Sequence, residues 1–312
     1  MASLLLSAGT VHAQNDRPIR LLVGFSAGGG TDVLARLLAE KLKDELQRPV
    51  IVENRPGAGG MVAAAALKNA AADGTTLFLT NDHTTSIIPL VQKNPGYDVQ
   101  EDFTPVAGVA DYVSVLFIGA AVPAKSFAEY TRWVSERQAG KSSIAIPAPA
   151  SLPEFITKAI GARAKLDLVP VPYKGAAPML GDIMGNQIPA GISAVNDTLE
   201  PQKAGKIQVL AVAGDARQSI YPGVPTFSEV GIPGFEQSPF YAIYAPRGTP
   251  QAFIDTFSKA TQKVLAQPAM AERMNALGLK VRYLPPQATA ERERAYAQAW
   301  APLVKALGYY PQ

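Results

Sequence analysis

Side chains able to do chemistry are sparse in this chain, and the densest cluster is Gly24-Phe25-Ser26-Ala27-Gly28-Gly29-Gly30. These residues admit two chemistries. As G-x-S-x-G between a strand and a helix, the segment has the form of a nucleophile elbow, with Ser26 as the attacking hydroxyl. As a run of small residues ahead of a helix, it forms an amide-lined anion site. Glycine lets the backbone turn tightly and leaves its N–H groups open, and the first amides of the helix lack internal partners and carry the positive end of the dipole. The same glycines also suit a tight turn that holds only water. The nucleophile reading needs a histidine base held by an acid. The chain has two histidines, His12 and His83. In the hydrolase order the histidine comes last, and here none follows residue 83. A serine hydrolase acting through Ser26 is therefore disfavoured.

A second loop, Pro147-Ala148-Pro149-Ala150-Ser151-Leu152-Pro153, opens another helix with Ser151 as N-cap. If the two loops face each other, two helix mouths share one cleft. That suits a ligand with a carboxylate at each end, or one clamped from both sides. Other chemistry is thinly supplied. Gly57-x-Gly59-Gly60 lacks the full dinucleotide-binding spacing and reads as a packing turn, and Thr31-Asp32 stands where a Walker motif has lysine and serine or threonine. There is no cysteine, so metal ligation falls to oxygen without a calcium-loop motif. No metal and no cofactor is expected. The carboxylate pairs Glu101/Asp102 and Glu291/Glu293 read as solvated faces.

The elements that would position these loops follow from periodicity. Ile19 to Val23 is an apolar strand, and Val33, Leu34, Leu37, Leu38 and Leu42 recur at helical spacing after the glycines. Val50–Val52 is a second strand, followed by an alanine-rich helix to about Ala71. A third strand, Thr75–Leu79, spills into the polar loop Thr80–Ser86. Alternating strands and helices predict a parallel α/β sheet with ligands beyond the carboxyl ends of its strands, which puts residues 25–30 and 80–84 on one rim. Val113–Ile118 and Tyr241–Tyr244 read as two strands crossing between domains. Between them lies a second α/β series, with strands near 143–146, 168–171, 188–192 and 207–212 and helices near 126–138, 154–164 and 179–184. The tail is helical from Gln251. The expected division is residues 14–112 with 240–312 as one lobe and 113–239 as the other.

With 29 Lys and Arg against 26 Asp and Glu, the net charge is only +3. No basic run appears, so no nucleic-acid partner is expected. No apolar stretch spans a bilayer. Leu4-Leu5-Leu6 and Val11-His12-Ala13 are read as the remnant, over residues 1–13, of an export signal.

Several long motifs, in order, resemble one family. Pro18-Ile19-Arg20 through Gly28-Gly29-Gly30-Thr31-Asp32 resembles the first motif of the Bug family, the periplasmic solute receptors of tripartite tricarboxylate transporters. Asn54-Arg55-Pro56-Gly57-Ala58-Gly59-Gly60, Pro172-Tyr173-Lys174-Gly175-Ala176-Ala177-Pro178, Gly223-Val224-Pro225-Thr226 and Ala245-Pro246-Arg247-Gly248-Thr249-Pro250 continue the match. The resemblance implies a two-lobed type II periplasmic-binding-protein fold with two crossing strands. It implies a monomeric periplasmic receptor, not an enzyme, for a small mono- or dicarboxylate, with membrane transporter subunits as partners. A sensor presenting its closed form to a signalling protein is the alternative. By position, Phe25, Ser26, Ala27, Gly28 and Gly29 with Ala150, Ser151 and Leu152 are the implied anion-binding loops. Asn81 and Asp82 lie on the rim, and Tyr173 and Ser193 complete the set. Ser26 replaces the family's usual proline, Leu152 a serine and Ser193 a frequent aspartate. Loss of that acid predicts a more apolar ligand, such as an aromatic or longer-chain carboxylate.

Overall fold

A computed structural model describes residues 17–310; the expected export segment lies outside them. The first part of the chain contains β1 (Ile19–Val23), α1 (Gly30–Leu46), β2 (Val50–Asn54), α2 (Met61–Lys68), β3 (Thr76–Asn81), the short helices α3 (Ile88–Val91) and α4 (Val99–Asp102), and β4 (Phe103–Asp111). The middle part contains β5 (Ser114–Gly119), α5 (Phe127–Arg137), β6 (Lys141–Ile146), α6 (Leu152–Ala164), β7 (Asp167–Pro172), α7 (Ala176–Met184), β8 (Ala190–Ala194), α8 (Val195–Lys203) and β9 (Ile207–Val212). The last part contains β10 (Phe240–Pro246), α9 (Gln251–Leu265), α10 (Pro268–Ala276), β11 (Lys280–Leu284) and α11 (Pro286–Ala306).

The strands form two sheets. One has six strands in the order β11-β4-β10-β3-β1-β2, and the other has five in the order β7-β6-β8-β5-β9. Both are mixed, where the sequence predicts parallel pairing. β1 runs parallel to β2 and β3, but β10 is antiparallel to β3 and β4. In the second sheet β6 is parallel to β7 and β8, and β5 is antiparallel to β8 and β9. The reason is connectivity: βαβ units give parallel neighbours, while β5 and β10, each entering a sheet from the other one, insert against that direction.

The chain passes between the sheets twice. Tyr112 and Val113 separate β4 in the first sheet from β5 in the second, and Pro239 leads back into β10. The Tyr112 N–H donates to the Pro239 carbonyl at 3.1 Å, so the two passages are tied side by side.

β1 is buried on both faces at Leu21, Leu22 and Val23, as the centre of a covered sheet requires. α1 buries Leu34, Leu37, Leu38 and Leu42 while Arg36, Glu40, Lys43 and Asp44 face water. Val33, placed by periodicity on the apolar face, is exposed. The Gly57–Gly60 turn is a packing turn. A Cβ at Gly60 would lie 2.4 Å from Thr84 Oγ1, and one at Gly59 would lie 2.5 Å from His83 Nε2. These glycines bring the start of α2 against residues 83–87, which coil as one turn of π-helix. Such turns are frequent at functional sites. Glu293, read as solvated, is buried on α11 and accepts a hydrogen bond from Tyr244 Oη at 3.0 Å.

Candidate functional site

Four helices begin around one cavity between the sheets. Gly29, Gly30 and Thr31 stand at the mouth of α1, Ser151, Leu152 and Pro153 at that of α6, Ala176 at that of α7, and Ala194 and Asp197 at that of α8. α1 belongs to the first sheet and the other three to the second. The rest of the wall comes from Phe25, from Asn81, Asp82 and His83 at the end of β3, and from Tyr112, Ser114, Pro147, Ala148 and Tyr241. Each helix follows directly on a strand, so its N-terminus lies at the carboxyl edge of its sheet, where such folds bind ligands. The cavity is small, about 50 Å³. On the same measure one water needs roughly 10–15 Å³, so the space matches about four waters.

Its donors are backbone amides. None of the four helices has its N-cap side chain bonded to its first turn. The N–H groups of Thr31, Ser151, Leu152 and Ala176 make no hydrogen bond within the described chain. Among the described residues no lysine or arginine lines the cavity. Each helix mouth carries roughly half a positive charge, so four of them supply a field that anions favour without any cationic side chain.

Two acids face that field. Asp82 is buried and accepts from Tyr112 Oη at 2.7 Å. Burial raises its pKa to about 6 despite that bond. Asp197, on the first turn of α8, accepts the Gly30 N–H at 2.6 Å. Burial raises it also to about 6, against the lowering effect of hydrogen bonds from Gly30, Ser193 and Ala194. Tyr112 and Tyr241 stack at 4.6 Å between ring centroids and form an aromatic wall at the first passage between the sheets. His83 is buried, neither ring nitrogen has a partner, and burial lowers its pKa to about 4. Asn81 Oδ1 is likewise without a donor.

The expected site residues divide into two groups. Phe25, Gly29, Asn81, Asp82, Ser151 and Leu152 line the cavity, whereas Ser26, Ala27, Gly28, Ala150, Tyr173 and Ser193 do not. The loop amides nearest the glycines are engaged elsewhere. The Ser26 N–H donates to the Lys174 carbonyl at 3.3 Å, and the Gly28 N–H to Asp32 Oδ2 at 2.9 Å. Burial by itself would raise the pKa of Asp32, but Arg36, Gly28 and Asn54 together hold it low, so this acid braces the loop from inside. Ala27 and Gly28 face outward. The Ala150 N–H goes to Glu154 Oε2 at 2.6 Å. Ser151, expected to cap α6, does not do so: its hydroxyl donates to the Ala148 carbonyl at 2.7 Å. Tyr173 donates to Asp182 on the far side of α7. Ser193 is fully buried behind Asp197. The acid read as lost at Ser193 is therefore supplied four residues later, and a preference for an apolar ligand does not follow.

A serine nucleophile is also overturned. The Ser26 hydroxyl donates to the Lys174 carbonyl at 2.5 Å, and neither ring nitrogen of His83 has a partner among the described residues. Among the lining residues the sequence did not single out are Thr31, Tyr112, Ala176, Asp197 and Tyr241. Asp197 carried a usable signal, since Val195-Asn196-Asp197 follows an apolar strand just as Thr31-Asp32 follows β1 and its loop.

The Gly30–Asp197 and Ser26–Lys174 bonds join elements of the two sheets at the cavity. Beside it, the segment after α11 packs on α6, where the Tyr309 hydroxyl donates to Glu154 and the Lys158 ammonium lies 3.9 Å from the Tyr309 ring centroid.

Known proteins agree with this geometry. The family described as tripartite tricarboxylate transporter family receptor matches residues 34–309. Protein BugT of Bordetella pertussis is 33% identical over 308 residues, covering 97% of this chain and 92% of BugT. The solved structure of the periplasmic binding protein BugD aligns with a TM-score of 0.88 at 30% identity, covering 95% of this chain and 99% of that one. R. palustris Rpa4515, solved with adipate, aligns with a TM-score of 0.89 at 28% identity, covering 95% and 99%. The chain belongs to the tripartite tricarboxylate transporter receptor family of periplasmic solute-binding proteins.

Proposed function

We propose that the protein captures one small organic acid between two lobes, residues 17–112 with 240–310 and residues 113–239, and delivers it to the membrane subunits of a tripartite transporter. The observation that carries this is the convergence of four helix N-termini, from both sheets, on one cavity without lysine or arginine. Free amides on Thr31, Ser151, Leu152 and Ala176 receive the carboxylate, as helix mouths receive anions generally. The adipate held by Rpa4515 is an acid of this class.

The work is done by closure. A ligand shifts an equilibrium between conformations only by its differential affinity for them. Here the α1 mouth lies on one lobe and the α6, α7 and α8 mouths on the other, so the full set of donors exists only when the lobes meet. The passages at Tyr112–Val113 and Pro239 are the natural hinge, because the chain changes sheet there. The Gly30–Asp197 and Ser26–Lys174 bonds support reading the described conformation as the closed one. Membrane subunits would then read the closed face.

Titration calorimetry and small-angle scattering on protein stripped of ligand by unfolding and refolding test this reading. A panel of small carboxylic acids should include at least one that binds one to one and reduces the radius of gyration. Absence of binding by every acid, or binding with no compaction, refutes it.

A further inference from the structure

Asp197 changes what the cavity can accept. Its carboxylate, from α8, sits on the Gly30 N–H at 2.6 Å, and so fills with the chain's own anion an amide at the α1 mouth that a ligand would otherwise take. The fit is close: a Cβ at Gly30 would lie 2.1 Å from Asn196 Nδ2 and 2.8 Å from Asp197 Oδ1. Asp82 faces the same space from the end of β3. Two carboxylates therefore stand against four helix mouths of roughly half a charge each, and no cationic side chain is present among the lining residues. The field is balanced before a ligand enters.

A ligand carboxylate at the α6 mouth finds the free amides of Ser151 and Leu152. A second carboxylate would have to lie beside Asp82 and Asp197, with only the Thr31 and Ala176 amides to offset their charge. A carboxylate can accept about four hydrogen bonds; Asp197 takes three, from Gly30, Ser193 and Ala194, and keeps room for one more. What complements it is a donor.

We infer that the ligand is a monocarboxylate whose far end carries a hydrogen-bond donor, a hydroxyl or an ammonium, and that Asp197 selects for it against the matching dicarboxylate. This rests on the receptor function proposed above. It also separates this chain from Rpa4515, whose adipate carries two carboxylates.

The test is calorimetry with matched straight-chain acids of three to six carbons, bearing at the far end a methyl, a hydroxyl, an ammonium or a second carboxylate. For the wild type, the hydroxy or amino acid of the best-fitting length should bind at least about tenfold more tightly than its dicarboxylate, since like charges brought together at an interface cost several-fold to many-fold in affinity. Preference for the ammonium over the hydroxyl identifies charge pairing, and equal binding identifies hydrogen bonding alone; either supports the inference. Asp197→Asn should narrow the gap by strengthening dicarboxylate binding. The wild-type ranking decides the question even if that variant folds poorly. A dicarboxylate that binds the wild type as tightly as the hydroxy and amino acids, or more so, overturns the inference and leaves the receptor function standing. Failure of every acid at every length overturns both.

Discussion

Gly30→Ala separates closure from folding. Gly30 is the first residue of α1 and its φ is not in the left-handed region, so alanine suits the backbone there. By helix propensity alone the change favours the helix by up to about 1 kcal/mol. The cost falls on the contact across the cavity. The new methyl would lie 2.1 Å from Asn196 Nδ2, 2.6 Å from Asn196 Cγ and 2.8 Å from Asp197 Oδ1, all well inside van der Waals contact. Asn196 can swing aside, but Asp197 can move only by releasing the Gly30 N–H. A hydrogen bond to a charged group contributes about 1.5–3 kcal/mol, so an acid that binds by closing the lobes should lose about 10- to 150-fold in affinity. The assay is calorimetry of one acid against both proteins, with scanning calorimetry to follow unfolding. The variant should melt no earlier than the wild type and bind the acid with a smaller scattering change. Wild-type affinity with wild-type compaction in Gly30→Ala would refute the reasoning, because the α1–α8 contact would then play no part in the bound state.

Gly181→Ala is the opposite case. It lies inside α7 with nothing within 4 Å of a new Cβ, so it should raise stability by about 0.5–1 kcal/mol in denaturant melts without altering binding. Tyr309→Phe keeps the ring against Phe155, at 5.0 Å between centroids, but removes the donor to Glu154, the acid that caps the Ala150 N–H; thermal unfolding should show a loss of about 1 kcal/mol. For Glu293, burial raises the pKa from 4.5 to about 7. In that window the native state holds a proton that the unfolded chain has released, so this group stabilises the fold most at low pH. The contribution, about 3 kcal/mol, is lost as pH rises through about 7. Glu293→Gln should flatten the stability profile between pH 5 and 7.5 in urea melts.

What the sequence revealed and what it hid have different physical origins. The strands β1 and β9 and the helix α9 were legible because their apolar residues recur at one clear period. The glycine-rich and proline-rich loops were legible as helix starts because a helical apolar period follows each of them. β4, α8 and the mixed pairing were not. β4 carries Pro105 and Gly108 and shows no alternation, because it is buried on both faces and its register slips twice against β10. α8 holds Pro201 and a short apolar face, Val195, Thr198 and Leu199, too small for a periodic signal. Antiparallel insertion of β5 and β10 is a property of where the chain re-enters a sheet, and no local pattern encodes it. At the site, Asp197 and Tyr241 lie 167 and 211 positions after Gly30, and only the fold brings them to the same wall. Ser26 and Gly28 misled for a related reason. An amide looks free in sequence until a distant carbonyl such as Lys174, or a carboxylate held by the next helix turn such as Asp32, is seen to take it.

Recognition by helix mouths, in place of arginine or lysine, suits a receptor that must also release what it binds. An arginine–carboxylate pair stays intact when lobes separate, since one lobe carries the whole cation. The partial charges here are divided, with Thr31 on the helix after β1 of the first sheet and Ser151, Leu152 and Ala176 on helices after strands of the second. Opening at Tyr112–Val113 and Pro239 would take one of the four helix mouths from the ligand and admit water to the remaining amides in one motion. On the proposed function, affinity and closure are thus one quantity. Asp197 extends the same economy: in the closed state it occupies the Gly30 amide, and on opening that amide and the carboxylate both return to water. The lobes therefore carry a closing contact of their own, and the ligand need supply only the difference between that contact and the cost of excluding water from the cleft.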